Sequence, residues 1–303
     1  MTPIEQYGAL KVAGGRLCSQ DNSTVALHGM STHGLAWQPR YVCRECFTAL
    51  RDELNCSCIR LALYTHQYHG YCTDGDKEEL FSLVCRGIDE AVELGLYVIA
   101  DWHILQEESP LVYADEAENF FRSLSQKYAG CPNLIYEICN EPNGCADWET
   151  IKTYARRVIP VIRESSPDAV IIVGTPEWSQ RLDEALKAPL EFENILYSLH
   201  FYAATHKETI RDRAEECLKA GLPVFVSECS ITEATGDGDP DMDSAEKWSK
   251  LINEYNLSAI GWSLSAGLDQ SSVFSHGCKK LSGWEDGDLK PAGRWFRDKF
   301  RSL

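Results

Sequence analysis

Glu141 and Glu228 are the residues from which chemistry can be built in this chain. Glu141 lies in the stretch 134–144, LIYEICNEPNG, where five residues of strand type run into an Asn-Glu-Pro turn. Glu228 ends an apolar run in 223–229, PVFVSEC. One carboxyl group after each of two strands predicts a pair facing each other across a pocket, and such a pair is what cleavage of a glycosidic bond requires.

The elements that must position this pair can be read from periodicity. Eight short apolar runs, at 24–29, 58–63, 97–102, 134–139, 169–174, 195–200, 224–228 and 259–263, alternate with segments of helical period. Those segments fall at 41–54, 78–95, 114–129, 147–165, 178–187, 206–221, 241–255 and 291–301. Asp147 is placed to cap the fourth, Gly95 and Gly221 to close the second and sixth, and Pro291 to open the eighth. Strands that are apolar on both faces and separated by helices pair in parallel, and eight such units close into a (β/α)8 TIM barrel of the α/β class. No linker interrupts 1–303, so one catalytic barrel domain is expected, with 1–23 as a short N-terminal cover.

If the C-terminal strand ends form one rim, that rim is chemically rich. It gathers His33 and Trp37, Arg60 and Tyr64, Asp101 and His103, Asn140 and Glu141, Trp178, His200 and Tyr202, Glu228, and Trp262. Alternation puts Val224, Val226 and Glu228 on one strand face, and if that face is the interior, Glu228 points into the pocket. Asn140 and Glu141 are neighbours and cannot both face inward along a regular strand, so the chain should twist or bulge before Pro142. Glu137, deeper in the same strand, is expected to be a buried partner of a basic group such as Arg60. His66 and His69 read as surface residues.

Composition narrows the partners. The chain carries 29 basic and 46 acidic residues, a net charge of -17, which argues against nucleic acid or an anionic membrane and suits a neutral substrate. No apolar stretch is long enough to span a bilayer, and the N-terminus reads as no secretory signal. Thirteen cysteines, an odd and scattered set, favour free buried thiols over a disulfide framework. Cys43-x-x-Cys46 and Cys56-x-Cys58 resemble half of a zinc site without a second half, so no metal site is assigned.

Together the Asn-Glu-Pro turn, Arg60, the His-Phe-Tyr at 200–202, Glu228 and Trp262 resemble glycoside hydrolase family 5, the cellulase family. The strings GMSTHGL (29–35), YVIADWHIL (97–105), YEICNEPNG (136–144), IVGTPEWSQ (172–180), LHFYAATH (199–206) and GWSLS (261–265) are similar to its bacterial endoglucanase subgroup. The resemblance implies a retaining endo-β-1,4-glucanase that needs no cofactor or metal, with Glu228 as nucleophile and Glu141 as acid/base. It further implies that Arg60 and Tyr202 stabilise Glu228 and that Asn140 bonds the sugar 2-hydroxyl. His103 and His200 should surround the pair, either orienting a carboxyl or touching sugar. Trp37, Trp178 and Trp262 are expected stacking platforms, while Trp148, Trp248 and Trp295 belong to the core and Trp102 and Trp284 are unassigned.

The implied partner is a β-glucan polysaccharide or cello-oligosaccharide, met by a monomer, either outside the cell if a leader was trimmed or in the cytoplasm on imported oligosaccharides. Two readings stand beside this one: the same mechanism on mannan, xyloglucan or mixed-linkage glucan, and a non-catalytic carbohydrate-binding barrel. The sequence departs from the subgroup after Glu228, where Cys229 and Ser230 replace a Trp-Gly pair, and at 266–270, AGLDQ, where the usual Lys and Glu are absent. Asp269 and Gln270 are the candidates to substitute for them.

Overall fold

The computed structural model describes residues 1–302, and eight parallel strands in it close into a barrel. These are β1 (His28–Thr32), β2 (Cys58–Tyr64), β3 (Tyr97–His103), β4 (Leu134–Glu137), β5 (Ile171–Val173), β6 (Ile195–Tyr202), β7 (Val224–Ser230) and β8 (Ala259–Leu264). The helices between and after them are α1 (Arg44–Leu54), α2 (Lys77–Glu93), α3 (Ala114–Lys127), α4 (Trp148–Arg163), α5 (Leu182–Lys187), α6 (Glu208–Lys219), α7 (Met242–Tyr255) and α8 (Pro291–Arg301). Each strand pairs with its sequence neighbours, and β8 returns to β1.

The helix ends follow local chemistry. The Asp147 carboxylate accepts the Thr150 N–H at 2.8 Å at the start of α4, and Pro291 opens α8. Gly95 and Gly221, at φ of 70° and 85°, take the chain out of α2 and α6 in the left-handed conformation that glycine adopts without strain.

Two expectations about elements need correction. The first barrel strand begins at His28, not Thr24, because Val25 and Leu27 turn into the bottom of the barrel. They pack there with Leu10, Leu17, Tyr97, Ile99, Phe225 and Ile260, which closes that end. The helix expected over 178–187 starts only at Leu182, since Glu177, Trp178 and Ser179 are left-handed.

The core has two layers. Trp148, Trp248 and Trp295 lie between barrel and helices, with Trp248 stacked on Phe201 at 4.0 Å, and Trp102 and Trp284 are buried there too. Inside the barrel the residues alternate in a fixed parity. Cys58, Ile99, Ile135, Ile172, Leu196, Phe225 and Ile260 form an apolar floor. Two residues further along, the same parity delivers Arg60, Asp101, Glu137, Ser198, Ser227 and Trp262, so the interior turns polar just below the rim. All thirteen cysteines are free thiols, eight of them buried.

Candidate active site

Arg60 is the hub of this polar layer. Nε donates to Glu137 at 2.6 Å, Nη1 to Glu228 at 3.0 Å and Ser31 at 3.3 Å, and Nη2 to Asn140 at 2.6 Å. Nη2 also lies 2.9 Å from the Asp101 carboxylate. Four guanidinium hydrogens are thus donated and the fork faces three carboxyl groups, a planar arrangement that lysine could not supply. Burial works against the Arg60 charge, but Asp101, Glu137 and Glu228 outweigh it and raise the group further, so it is a permanent cation. Burial likewise disfavours an ionised Glu137, yet Arg60 and His200 hold it down at about 2. Asp101 goes the other way, pushed well above the usual carboxylate range by burial, and its Oδ1 has no hydrogen-bond partner among the described residues.

Glu228 reaches the pocket by a route that simple alternation does not give. Val224 and Val226 face the helices, while Phe225 and Ser227 face the interior. Ser198 aligns with Phe225 but His200 with Glu228, so β7 carries one extra residue there, and β8 shows the same offset against it. This β-bulge lets Ser227 and Glu228 both point inward. Glu228 Oε2 accepts from Arg60, and Oε1 accepts the Tyr202 hydroxyl at 2.7 Å. Burial and the Glu228 charge push the Tyr202 phenol well up, which keeps it a donor.

Glu141 is held differently. Its Oε1 lies 2.9 Å from His200 Nδ1, and the other ring nitrogen lies 2.9 Å from Ser227 Oγ. Ser227 donates its hydroxyl hydrogen to Glu137 at 2.6 Å, which leaves its lone pairs for Ser198 Oγ at 2.7 Å and for His200 Nε2–H. The proton on Nε2 is thus fixed from below. Burial alone would lower the His200 pKa, but Glu137, Glu141 and Glu228 push it up to about 9. His200 Nδ1 is thus left to face Glu141. Oxygens of Glu141 and Glu228 and a ring nitrogen of His200 lie within 4.8 Å of one another, close to the spacing of a retaining carboxyl pair and too short for an inverting one.

A cavity of about 690 Å³ opens above them, lined by His33, Tyr64, His103, Glu141, Trp178, Tyr202, Glu228 and Trp262. Arg60, Asn140 and His200 lie just beneath it, fully buried. Trp37 stands half-buried beside this lining, its ring centre 4.5 Å from that of Tyr64 and 5.4 Å from that of His33. His103 touches neither carboxyl of the pair. Its pKa is lowered to about 3 by burial and Arg60, so the ring is neutral, donating from Nδ1 to Asp101 at 2.6 Å and accepting at Nε2 from Asn140 at 3.2 Å. The other amide hydrogen of Asn140 goes to the Ile104 carbonyl at 3.1 Å. His66 is half-buried against the Tyr113 hydroxyl, and exposed His69 faces Asp74 at 3.4 Å.

Several site residues had no reading in the sequence. Ser227, Gln180, His206 and the 234–236 loop border the carboxyls or the cavity. For Ser227 and Ser198 a signal existed, since each is a hydroxyl inside an otherwise apolar strand. Glu177, Trp178 and Ser179 form a left-handed turn that costs roughly 1–2 kcal/mol per residue, and it presents the Trp178 ring, 47% exposed, to the cavity.

The geometry agrees with comparisons to known proteins. The pattern that defines Cellulase (glycosyl hydrolase family 5) matches residues 18–267. Endoglucanase A of Butyrivibrio fibrisolvens is 41% identical over 99% of this chain and 70% of its own length. An endoglucanase of Clostridium saccharobutylicum is 39% identical over 94% and 63%. The chain thus spans roughly two thirds of these relatives. The catalytic domain of Thermobifida fusca endoglucanase, solved as a variant with cellotetraose, is 37% identical with a TM-score of 0.94, covering 99% of this chain and all of that one. With that family match across most of the barrel, and a carboxyl pair at the spacing retention demands, the chain belongs to glycosyl hydrolase family 5, the cellulase family, and is a retaining endoglucanase.

Proposed function

We propose that Glu228 is the nucleophile and Glu141 the acid/base in hydrolysis of internal β-1,4-glucosidic bonds of cellulose-type chains. The observation that carries this assignment is the unequal surroundings of two carboxyls within 4.8 Å. Glu228 has a permanent cation and a phenol on its two oxygens, which suits an ionised nucleophile. Glu141 has an imidazole that can take or return a proton. In the first step Glu141 protonates the glycosidic oxygen while Glu228 Oε attacks the anomeric carbon and the leaving sugar departs. The charge on Glu228 is then consumed in the ester, and Glu141, now a carboxylate, takes a proton from the water that attacks the same carbon. Asn140 meets the 2-hydroxyl only by sharing a hydrogen it now gives to His103 or Ile104.

In this reading residues 1–303 act as one catalytic domain and as a monomer, with 1–23 covering the barrel floor. The substrate is a polymer that does not enter cells, so the site of action is extracellular. The chemistry uses only side chains and water. Trp178 and Trp262 supply flat faces for sugar rings. Incubation with a defined cello-oligosaccharide, with product anomer followed by NMR, tests the proposal: a β-anomer at first appearance supports it, and an α-anomer overturns it. Release of reducing ends from mannan or xyloglucan but not from β-1,4-glucan would move the substrate, and no release from any of them would leave a binding barrel.

A further inference from the structure

Glu177, Trp178 and Ser179 follow one another with φ of 54°, 57° and 58°, and none is glycine. Such a run persists only where its surroundings over-determine it. Here the bonds that do so end on the turn that carries Glu141. The Trp178 N–H donates to the Pro142 carbonyl at 3.0 Å, and the Ser179 hydroxyl donates to the Asn140 carbonyl at 2.7 Å. The carbonyls on both sides of Glu141 are therefore gripped by the left-handed turn. The carbonyl of Glu141 itself accepts from Asn143 Nδ2 at 2.9 Å. Ser179 Oγ in turn accepts the Thr175 N–H at 3.3 Å, and the Thr175 hydroxyl donates to the Ser198 carbonyl on β6, the strand of His200, at 3.2 Å. Gly174 makes the approach possible, since a Cβ there would lie 2.4 Å from the Cys139 carbonyl oxygen.

We infer that this turn is a positioning device that couples the Trp178 platform to the general acid, with Ser179 as the positioning residue for Glu141. The inference rests on the assignment of Glu141 as acid. Proton donation needs the carboxyl within hydrogen-bond reach of the glycosidic oxygen, and His200 restrains only the end of that side chain. The backbone it hangs from is restrained by Ser179 and Trp178. A leaving-group sugar stacked on Trp178 bears on the same backbone, so binding on that side and proton delivery share one support.

The test compares two substrates in S179A, S179G and E141Q. The leaving group of cellotetraose is a sugar hydroxyl that departs only when protonated, whereas that of 2,4-dinitrophenyl β-cellobioside departs as a phenolate without a proton. For S179A, kcat/KM should fall about tenfold on cellotetraose and less than about twofold on the aryl glycoside. S179G suits the left-handed backbone and lacks the hydroxyl, so it should show the same split with a Tm at least that of S179A. Equal losses on both substrates, or an S179G enzyme that behaves as the parent, would overturn the role of Ser179 while the E141Q split leaves the acid assignment standing. An E141Q enzyme that cleaves cellotetraose as the parent does would overturn both.

Discussion

Glu228 and Glu141 lie within 4.8 Å of each other, yet they are held by opposite means. Glu228 is gripped through its side chain, by Arg60 from the floor and Tyr202 from the wall, and only 5% of that side chain is exposed. Glu141 is gripped mostly through the backbone around it, and its side chain, 14% exposed, meets the protein at His200. The difference matches the two duties. A nucleophile must keep its charge and its aim, so fixed charges suit it. An acid/base must exchange a proton with substrate and water, so it is left reachable and its position is set from behind.

The strongest way to break this comparison is to remove each carboxyl in turn. E228A should lose at least about 10⁴-fold in kcat on every substrate. E141A should lose about 10²–10⁴-fold in kcat/KM on cello-oligosaccharides and little in kcat/KM on aryl glycosides with good leaving groups, whose kcat falls because the water in the second step has lost its base. Added azide should restore turnover in both, giving an α-glycosyl azide from E228A and a β-glycosyl azide from E141A, as read by NMR. Azide products of the reverse configurations would exchange the two roles.

Next in size is the cost of disturbing the floor. R60M strands Glu137 and Glu228 without their cation in a fully buried layer, and breaking one side of such a cluster costs about 3–5 kcal/mol. Urea unfolding should show that loss together with loss of activity. H200Q, on the other side of the pair, should unfold close to the parent at pH 10, where His200 has lost its proton, and an R60M protein as stable as the parent would remove the distinction between a nucleophile held by charge and an acid held by backbone.

The two sides should also fail at opposite ends of the pH scale. His200 is raised from 6.5 to about 9, so its contribution to stability is complete below 6.5 and is lost as pH climbs through 9. Glu137 is lowered from 4.5 to about 2, so its contribution is present above 4.5 and is lost as pH falls through 2. Unfolding free energies of the parent should drop between pH 7 and 10, and H200Q should abolish most of that drop. A parent curve that H200Q leaves unchanged in this range would place the alkaline transition elsewhere.

The same contrast explains what was legible in the sequence. Fixed charges inside strands can be read: Arg60 and Glu137 are polar residues in apolar runs, strand parity puts both on the inner face, and there they pair at 2.6 Å. The barrel is legible for the same reason, since burial on both faces leaves an apolar run that no surface strand shows. What depends on backbone irregularity is not legible. The alternation of Val224, Val226 and Glu228 points to one face, and the extra residue in β7 reverses it. The left-handed turn at 177–179 carries no glycine to announce it. Trp37 sits at a strand end by sequence, and in space its ring packs on His33 and Tyr64, two of the residues that line the cavity.

Asp269 offers the smallest effect and a finer test, because it adds a third fixed carboxyl to the cavity. Its Oδ1 accepts from Ser271 Oγ at 2.8 Å and the Ser272 N–H at 2.7 Å, and its Oδ2 from Ser272 Oγ at 2.7 Å. Partial burial would raise its pKa, but these hydroxyl and amide donors outweigh it and hold the group below its ordinary value. Lys290 does not neutralise the carboxyl directly, since its ammonium donates to the Gly267 and Leu268 carbonyls at 2.9 and 3.1 Å and to that of Asp269. An anion so placed repels carboxymethyl groups on a substituted chain and leaves a neutral one alone, by about 1 kcal/mol at close range in water. D269N keeps the two Oδ1 bonds and can donate to Ser272 Oγ, so the loop should stay folded. At low salt it should raise kcat/KM on carboxymethylcellulose about fivefold relative to cellotetraose, and the gain should shrink as salt screens the charge. A ratio that does not move, or moves equally at every salt concentration, would show that Asp269 acts on shape rather than charge.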